Sequence, residues 1–339
     1  MNTLYKKNIL KLTDLSQKEI YYILHLSKKL KQEKKNNIEI KRLLGKNIIL
    51  IFAKNSTRTR CSFEVACFDQ GANVTCLNKT DSHIGYKETI QDTAKILSNL
   101  YDGIQYRGIQ KDIEILAKSS KIPVWNGLTE QFHPTQILAD LLTIQENISD
   151  NHNIDQITIS YIGDIYNNIA MSLVEAASII GFKLYLITAK PLFISDDTLL
   201  FNQLIKKHNN IILTDNMILG VTNTDFIYTD VWLSMGESST LWEYKIKYLY
   251  KYQVNNNLLL NSKNNNIKVM HCLPSFHDYN HYKSIIKNNI ISKFNLFYGL
   301  EITNDVFLSK YSIIFQQAAN RIHVIKALMI LTLIKNNIL

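Results

Sequence analysis

The stretch Asn47-Ile-Ile-Leu-Ile-Phe-Ala53, followed closely by Ser56-Thr-Arg-Thr-Arg60, decides the fold class of this chain. The apolar run has the length and β-branched content of a buried strand. Residues 56–70 have the pattern of a helix that Gly71 closes. A helix start presents free backbone N–H groups and the positive end of the helix dipole. Two guanidiniums and several hydroxyls at such a start predict a site for a phosphate or a carboxyl phosphate. The alternative at this point is a solvated helix start with incidental charges.

Strand-like and helix-like runs alternate along nearly the whole chain, which is typical of α/β layering with a mostly parallel sheet. Strands are predicted at 47–53, 73–77, 103–107, 122–125, 157–162, 183–189, 210–214, 225–229 and 267–271. The polar, turn-rich segment 147–153 divides this series in two. We therefore predict two open, mostly parallel α/β sheet domains, with a C-terminal helix packing back on the first domain. The predicted bounds are 1–148, 153–315 and 316–339.

The composition and the net charge of the chain indicate which classes of function are expected. The 339 residues are 46% hydrophobic and 20% charged, as in an ordinary globular protein. The net charge is +9, but the lysines are scattered among Asn and Ile and form no basic block. We therefore expect no nucleic acid partner, and the excess charge favours anionic substrates.

The cysteines and apolar segments indicate the compartment. Cys61, Cys67, Cys76 and Cys272 form no C-x-x-C pair, so the sequence predicts no metal site and no redox motif. The N-terminus has no apolar signal core, and the apolar stretch 322–334 is too short to span a bilayer. We expect a cytoplasmic protein with no membrane partner.

Polar clusters follow the predicted strands at six places. They are Ser56 to Arg60, Arg107, His133, Asp164 to Asn168, Asp230 and Cys272. Ligands of open α/β sheets bind beyond the carboxyl ends of the strands, so this coincidence predicts binding sites there. Each residue alone would more simply be a capping or loop residue.

The chemistry of the clusters differs between the two halves of the chain. In the first half, Arg58, Arg60, Arg107 and His133 with nearby hydroxyls suit an oxygen-rich anion that carries a carbonyl. In the second half, Asn168, Asp230, Ser234 and Cys272 suit an amino acid, because Asp230 can hold an ammonium and Asn168 a carboxylate. No Walker loop and no dinucleotide fingerprint follows a strand, so no nucleotide cofactor is predicted.

Four blocks make the chain resemble the ornithine carbamoyltransferases. Phe52-Ala-Lys-Asn-Ser-Thr-Arg-Thr59 and Phe132-His-Pro-Thr-Gln-Ile-Leu-Ala-Asp140 are similar to the carbamoyl phosphate signatures shared with aspartate carbamoyltransferases. Asp230-Val-Trp-Leu-Ser-Met-Gly-Glu237 resembles the ornithine loop, and His271-Cys-Leu-Pro274 resembles a block that separates the ornithine enzymes from their relatives. The resemblance implies transfer of the carbamoyl group of carbamoyl phosphate to the δ-amine of L-ornithine, giving L-citrulline and phosphate, with no cofactor and no metal. Arginine biosynthesis is the expected context.

The resemblance also implies roles for individual residues. Ser56, Thr57, Arg58, Thr59 and Arg60 would hold the phosphate. The other residues expected to bind carbamoyl phosphate are His83, Arg107, His133, Gln136, Cys272, Leu273 and Arg321. Ornithine would be bound by Asn168, Asp230, Ser234 and Met235, and the catalytic residues would be Arg107, His133 and Cys272. The family forms trimers or multiples of trimers, in which each site borrows a residue from the neighbouring subunit.

The sequence differs from the family pattern in Ser82-His-Ile-Gly85, the segment that a neighbouring subunit is expected to contribute to each site. The family usually has Gln in place of His83. Either His83 simply replaces an amide donor, or the affinity for phosphate becomes more dependent on pH. Three rival functions are a carbamoyltransferase for another amine such as putrescine, a non-catalytic anion-binding paralogue, and a nucleic-acid-binding protein. The acceptor of the amine proton is either the leaving phosphate or Cys272.

Overall fold

The chain folds into two compact units. The computed structural model describes residues 3–81, 84, 87–149, 152–194, 196, 199–233, 241–286 and 288–335. Unit 1 comprises Met1–Leu142 together with Ala319–Leu339, and unit 2 comprises Thr143–Ala318. The division at residue 318 falls inside the last long helix, so that one helix begins in unit 2 and continues into unit 1.

Unit 1 is built on a four-stranded sheet in which the described strand pairs are parallel, in the order β2-β1-β3-β4. Its elements, up to residue 145, are α1 (Gln17–Lys35), β1 (Asn47–Phe52), α2 (Thr57–Gln70), β2 (Asn73–Asn78), α3 (Ile90–Leu100), β3 (Gly103–Gly108), α4 (Gln110–Ser119), β4 (Val124–Thr129) and α5 (Pro134–Gln145). The apolar run quoted above is the inner strand β1, and all its residues after Asn47 are buried.

Unit 2 is built on a five-stranded sheet, also with parallel pairs, in the order β7-β6-β5-β8-β9. Its elements are β5 (Thr158–Ile162), α6 (Asn168–Ile180), β6 (Lys183–Ile187), α7 (Leu200–Lys207), β7 (Ile211–Thr214), α8 (Met217–Val221), β8 (Phe226–Thr229), α9 (Leu241–Leu249), α10 (Asn256–Asn261), β9 (Lys268–His271), α11 (Tyr279–Tyr282), α12 (Asn288–Lys293), α13 (Asn304–Phe307) and the start of α14 (Ile314–Leu333). The predicted fold class of two parallel α/β sheets is confirmed. No helix in the described part of the chain combines the length and the apolar character needed to cross a membrane.

Helix α2 begins after Ser56 and is closed by Gly71, as the sequence indicates. The Ser56 hydroxyl accepts a hydrogen bond from the backbone N–H of Thr59 and so caps the helix start. At the other end Gly71 adopts φ 77°, a left-handed conformation that glycine reaches without strain. The helix therefore begins directly after β1, at the carboxyl edge of the sheet.

Strand β4 is the element whose position differs most from the prediction. It runs over Val124–Thr129, whereas the sequence predicts 122–125. Pro123 offers no N–H for the ladder, which explains the later start. The strand includes Gly127, where a Cβ would lie 2.1 Å from the Gln105 amide nitrogen, so a larger residue there would displace the Gln105 side chain.

A buried ion cluster fixes the last helix within unit 1. The Lys326 side chain is fully buried, and its Nζ lies 2.5 Å from Glu39 Oε1 and 2.6 Å from Asp69 Oδ2. Lys34 also contacts Asp69. Nearby, the Gln70 amide donates a hydrogen bond of 2.8 Å to Glu39. The cluster therefore joins α14 to the end of α2 and to the chain after α1.

We expect Lys326→Met to destabilise the protein by about 3 kcal/mol, because Glu39 and Asp69, both largely removed from solvent, lose the fully buried cation that they share. Lys34→Met is the matched control, since Lys34 contacts the same Asp69 but keeps 41% of its side chain exposed. We expect Lys34→Met to lower the free energy of unfolding by about 1 kcal/mol or less. Urea unfolding of the two variants measures the difference, and equal losses would contradict the assigned role of Lys326.

Candidate active site

Two guanidiniums of unit 1, from β3 and α14, meet at the Thr59 hydroxyl on α2. This oxygen accepts hydrogen bonds from Arg321 Nη2 at 3.0 Å and from Arg107 Nη1 at 3.4 Å. The second nitrogen of Arg321, Nη1, donates to Gln136 Oε1 at 3.0 Å. Together with His133 these residues form what we name the Thr59 cluster: Thr59, Arg107, His133, Gln136 and Arg321. All five are at least 95% buried.

Each member of the cluster is placed by a local structural feature. Arg107 is near the end of β3, and His133 directly precedes Pro134 at the start of α5. Gln136 follows on the first turn of α5, where its amide donates to Asp140 at 2.8 Å, so its carbonyl oxygen is left to face Arg321. Arg321 projects from α14. The sequence predicted all five as site residues, and the structure brings them together.

The cluster concentrates positive charge in a buried region. Burial lowers the pKa of His133 well below its usual value, and the charges of Arg321, Arg107 and Arg58 lower it further. His133 is therefore neutral at pH 7, with one ring nitrogen as donor and the other as acceptor. The Thr135 hydroxyl lies 3.4 Å from His133 Nδ1. The start of α2 adds the positive end of its dipole, so the region is suited to an oxyanion.

Some predicted phosphate-binding residues lie apart from this network. The Arg60 side chain is 45% exposed, and its Nε donates to Glu64 Oε1 at 2.9 Å, one helical turn further along α2. Thr57 is exposed, whereas Ser56 and Arg58 are partly buried at the helix start. His83 lies outside the described residues. The roles of these residues stay predictions.

Unit 2 brings Asp230 and Cys272 together at the ends of β8 and β9. The Cys272 thiol donates to Asp230 Oδ1 at 2.9 Å, and the backbone N–H of Val231 donates to the same oxygen at 2.8 Å. Asp230 is 7% exposed, and burial raises the pKa of its carboxyl above the usual value. An ammonium ligand would stabilise the ionised carboxylate there.

A buried histidine and glutamate hold the turn that carries Cys272, and sequence reasoning had assigned neither of them a role. His271 Nε2 lies 3.2 Å from Glu301 Oε1, and both side chains are fully buried. The backbone N–H of Leu273 donates to His271 Nδ1 at 2.9 Å, while that of Phe276 donates to Glu301 Oε1 at 2.6 Å. Because Nδ1 accepts, Nε2 carries the proton that is donated to Glu301.

This arrangement fixes an unusual backbone. Leu273 adopts φ 58°, and the peptide bond between Leu273 and Pro274 is cis. The pair His271–Glu301 contacts the chain on both sides of this bend. The His-Cys-Leu-Pro motif was a signal for His271, but nothing in the sequence points to Glu301.

The start of α6 carries Asn168, the residue predicted to bind a carboxylate. Asn167 caps the helix, since its Oδ1 accepts from the N–H groups of Ile169 at 3.0 Å and Ala170 at 2.9 Å. The Asn167 amide also donates to the Tyr161 hydroxyl at 2.8 Å. Burial raises the pKa of Tyr161 well above its usual value, with a further contribution from Asp230, so the phenol stays neutral. Ser234 and Met235 lie outside the described residues.

Asp230, His271 and Cys272 have ligand atoms within 4.8 Å of one another, a set that could hold a metal ion. Each of the three is already used in the hydrogen bonds described above. The prediction that no metal is needed stays a prediction.

Two family models match nearly the whole chain. The model described as aspartate/ornithine carbamoyltransferase, carbamoyl-P binding domain, matches residues 7–146. The model described as aspartate/ornithine carbamoyltransferase, Asp/Orn binding domain, matches residues 155–332.

Full-length relatives and solved structures agree with these matches. The chain is 52% identical to an ornithine carbamoyltransferase of Blochmanniella floridana, over 99% of this chain and 96% of the relative. It is 54% identical to one from Buchnera aphidicola, over 99% and 98% of the two chains. The ornithine carbamoyltransferase structure from Pyrococcus furiosus superposes with a TM-score of 0.83 at 34% identity, covering 97% of this chain and 98% of that one.

We expect Thr59→Val to weaken the binding of inorganic phosphate about tenfold, because the shared acceptor that orients two guanidiniums is lost while the side-chain volume is kept. Ser62→Ala is the control, since the Ser62 hydroxyl on the same helix donates to the Arg58 carbonyl at 2.7 Å. Calorimetric titration with phosphate measures both variants. Equal affinities for phosphate in the two variants would contradict this role for Thr59.

Proposed function

The chain belongs to the aspartate/ornithine carbamoyltransferase family, and from that premise we propose that it transfers the carbamoyl group of carbamoyl phosphate to the δ-amine of L-ornithine. The products are L-citrulline and phosphate. The observation that carries the proposal is the Thr59 cluster, in which buried guanidiniums surround the start of α2. The buried carboxyl of Asp230 supports an amino acid as the acceptor, because it can pair with an ammonium.

The donor is bound by unit 1 in this proposal. The hydroxyls and N–H groups at the start of α2 hold the phosphate of carbamoyl phosphate, together with Arg58. Arg107, His133 and Gln136 hold the carbamoyl end, and Arg321 completes the pocket. A neutral His133 donates one N–H to the carbamoyl oxygen without adding a further positive charge to the cluster.

The acceptor amine must be neutral to attack. An alkyl amine has a pKa near ~10.4, so roughly one molecule in a few thousand is reactive at pH 7, a cost of about 4–5 kcal/mol. Loss of water around the amine lowers that cost. Cys272 and the carbonyl of Leu273 face the reacting nitrogen, while Asp230 and Asn168 hold the α-amino and α-carboxylate groups. Ser234 and Met235 are assigned to ornithine as well.

Attack by the amine forms a tetrahedral intermediate with a negative oxygen. Arg107, His133 and the Thr59 hydroxyl are the donors that stabilise this charge. Collapse of the intermediate expels phosphate, whose charge the guanidiniums already neutralise. The amine proton passes either to the leaving phosphate or to Cys272. In the second route Cys272 accepts the proton as a thiolate, while Asp230 stays ionised and pairs with the α-ammonium.

The assembly and cellular setting are part of the same proposal. We expect a cytoplasmic homotrimer, or a multiple of trimers, that serves arginine biosynthesis. In such an assembly His83 reaches the phosphate of a neighbouring subunit, in the role that Gln has in the family.

The test is a citrulline assay with carbamoyl phosphate and three acceptors: L-ornithine, putrescine and N-acetyl-L-ornithine. We expect turnover with ornithine at least about a hundredfold above either alternative, because each lacks a charged group that pairs with a polar side chain assigned to the site. Putrescine lacks the α-carboxylate, and acetylation removes the charge that pairs with Asp230. Greater turnover with putrescine or acetylornithine, or none with ornithine, would contradict the proposal.

A further inference from the structure

Unit 2 contains a largely buried ion pair between Lys245 and Asp164, close in sequence to Asn168, which is assigned to ornithine. Lys245 Nζ of α9 lies 2.6 Å from Asp164 Oδ2, and the two side chains are only 12% and 7% exposed. Buried charges of this kind are rare in proteins unless they are paired. The pair takes no part in the mechanism above.

Asp164 organises the turn between β5 and α6. Its Oδ1 accepts the backbone N–H of Tyr166 at 3.2 Å, and its own carbonyl accepts the Asn167 amide at 3.0 Å. Asn167 in turn caps α6 and donates to Tyr161. The next residue, Asn168, is the one assigned to the α-carboxylate of ornithine. The hydrogen bonds of Asp164 therefore support the turn that sets the position of Asn168.

The same turn is fixed from a second direction. Gly163 adopts φ 123°, and a Cβ at this position would lie 3.2 Å from two atoms of the Trp232 ring. Trp232 is fully buried and follows Asp230 by two residues. The turn that carries Asn168 is thus packed against the segment that carries Asp230. Within this turn, the Asp164 carboxylate contacts the Lys245 ammonium.

We propose that Lys245 is a positioning residue for the amino acid substrate, acting through Asp164 on the turn that carries Asn168. The inference rests on the proposed function and adds to it a residue that does not touch ornithine. Without the ammonium, Asp164 stays buried and loses its contact with the Lys245 cation, so the turn rearranges to supply other donors. All of these contacts lie within unit 2, so binding of carbamoyl phosphate is unaffected.

The experiment compares Lys245→Met with Lys245→Arg in steady-state kinetics. Methionine keeps the apolar stem but removes the charge. We expect it to raise the KM for ornithine about 10- to 100-fold, the loss that follows from misplacing a binding group. The kcat and the KM for carbamoyl phosphate should change less than about twofold, because the α-carboxylate contact is weakened equally in the ground state and in the transition state. Lys245→Arg keeps the charge and should restore most of the affinity.

Lys247→Met is the matched control. Lys247 is exposed on the same helix and lies over the Tyr248 ring, 5.3 Å from its centroid. It should keep the kinetics of the unaltered protein. If Lys245→Met does not fold, the double variant Asp164→Asn with Lys245→Met removes both charges. Its KM for ornithine should then equal that of Asp164→Asn alone, since the two residues act as one unit.

L-Norvaline, which keeps the α-amino acid end but lacks the δ-amine, gives a readout that does not depend on turnover. Its affinity, measured by calorimetry with saturating carbamoyl phosphate, should fall in Lys245→Met by the same factor as the affinity for ornithine. An unchanged KM for ornithine in folded Lys245→Met, or equal effects on both substrates, would overturn the inference. Absence of citrulline formation by the unaltered protein would instead contradict the proposed function itself.

Discussion

The rest of the structure depends on one interaction, the sharing of the Thr59 hydroxyl by two guanidiniums. Arg107 and Arg321 come from β3 and α14, and they meet at an oxygen on the first turn of α2. Two unit charges roughly 5 Å apart repel by about 3 kcal/mol at an effective dielectric constant of 20. A bound dianion would reverse the sign of this term. The cluster is therefore an arrangement that a phosphate ligand stabilises, and the ion cluster at Lys326 contacts the same helix, α14.

The two units carry opposite electrostatic preferences. Unit 1 collects guanidiniums and keeps its buried histidine neutral, which suits a donor with a phosphate and a carbonyl. Unit 2 buries carboxyls, among them Asp230 and Asp164, and each of these is held by hydrogen bonds from its own turn. A carboxyl with a raised pKa gains most from a cationic ligand. This difference in buried charge between the two units agrees with one substrate that is an oxyanion and one that is an amino acid.

Local sequence patterns were sufficient for the fold and for Thr59, Arg107 and His133 of the Thr59 cluster, whereas Gln136 and Arg321 were assigned only through the family resemblance. The run at β1 and the capped start of α2 are continuous in sequence, and parallel strands necessarily bring their carboxyl ends to one edge. Pairs between distant residues were not predictable in this way. His271 is 30 residues from Glu301, Asp164 is 81 from Lys245, and Lys326 is 287 from Glu39. Periodicity and spacing give no information on which distant charges meet, so these pairs became visible only in the folded chain.

The most direct test of the central claim is a crystal structure with phosphonoacetamide, a stable analogue in which CH₂ replaces the bridging oxygen of carbamoyl phosphate. The account predicts the phosphonate at the start of α2, with its oxygens in hydrogen-bond distance of the backbone N–H groups there and of Arg58. The amide oxygen should lie in reach of Arg107 and His133. A phosphonate bound away from α2, with the Thr59 cluster unchanged and unoccupied, would contradict the account.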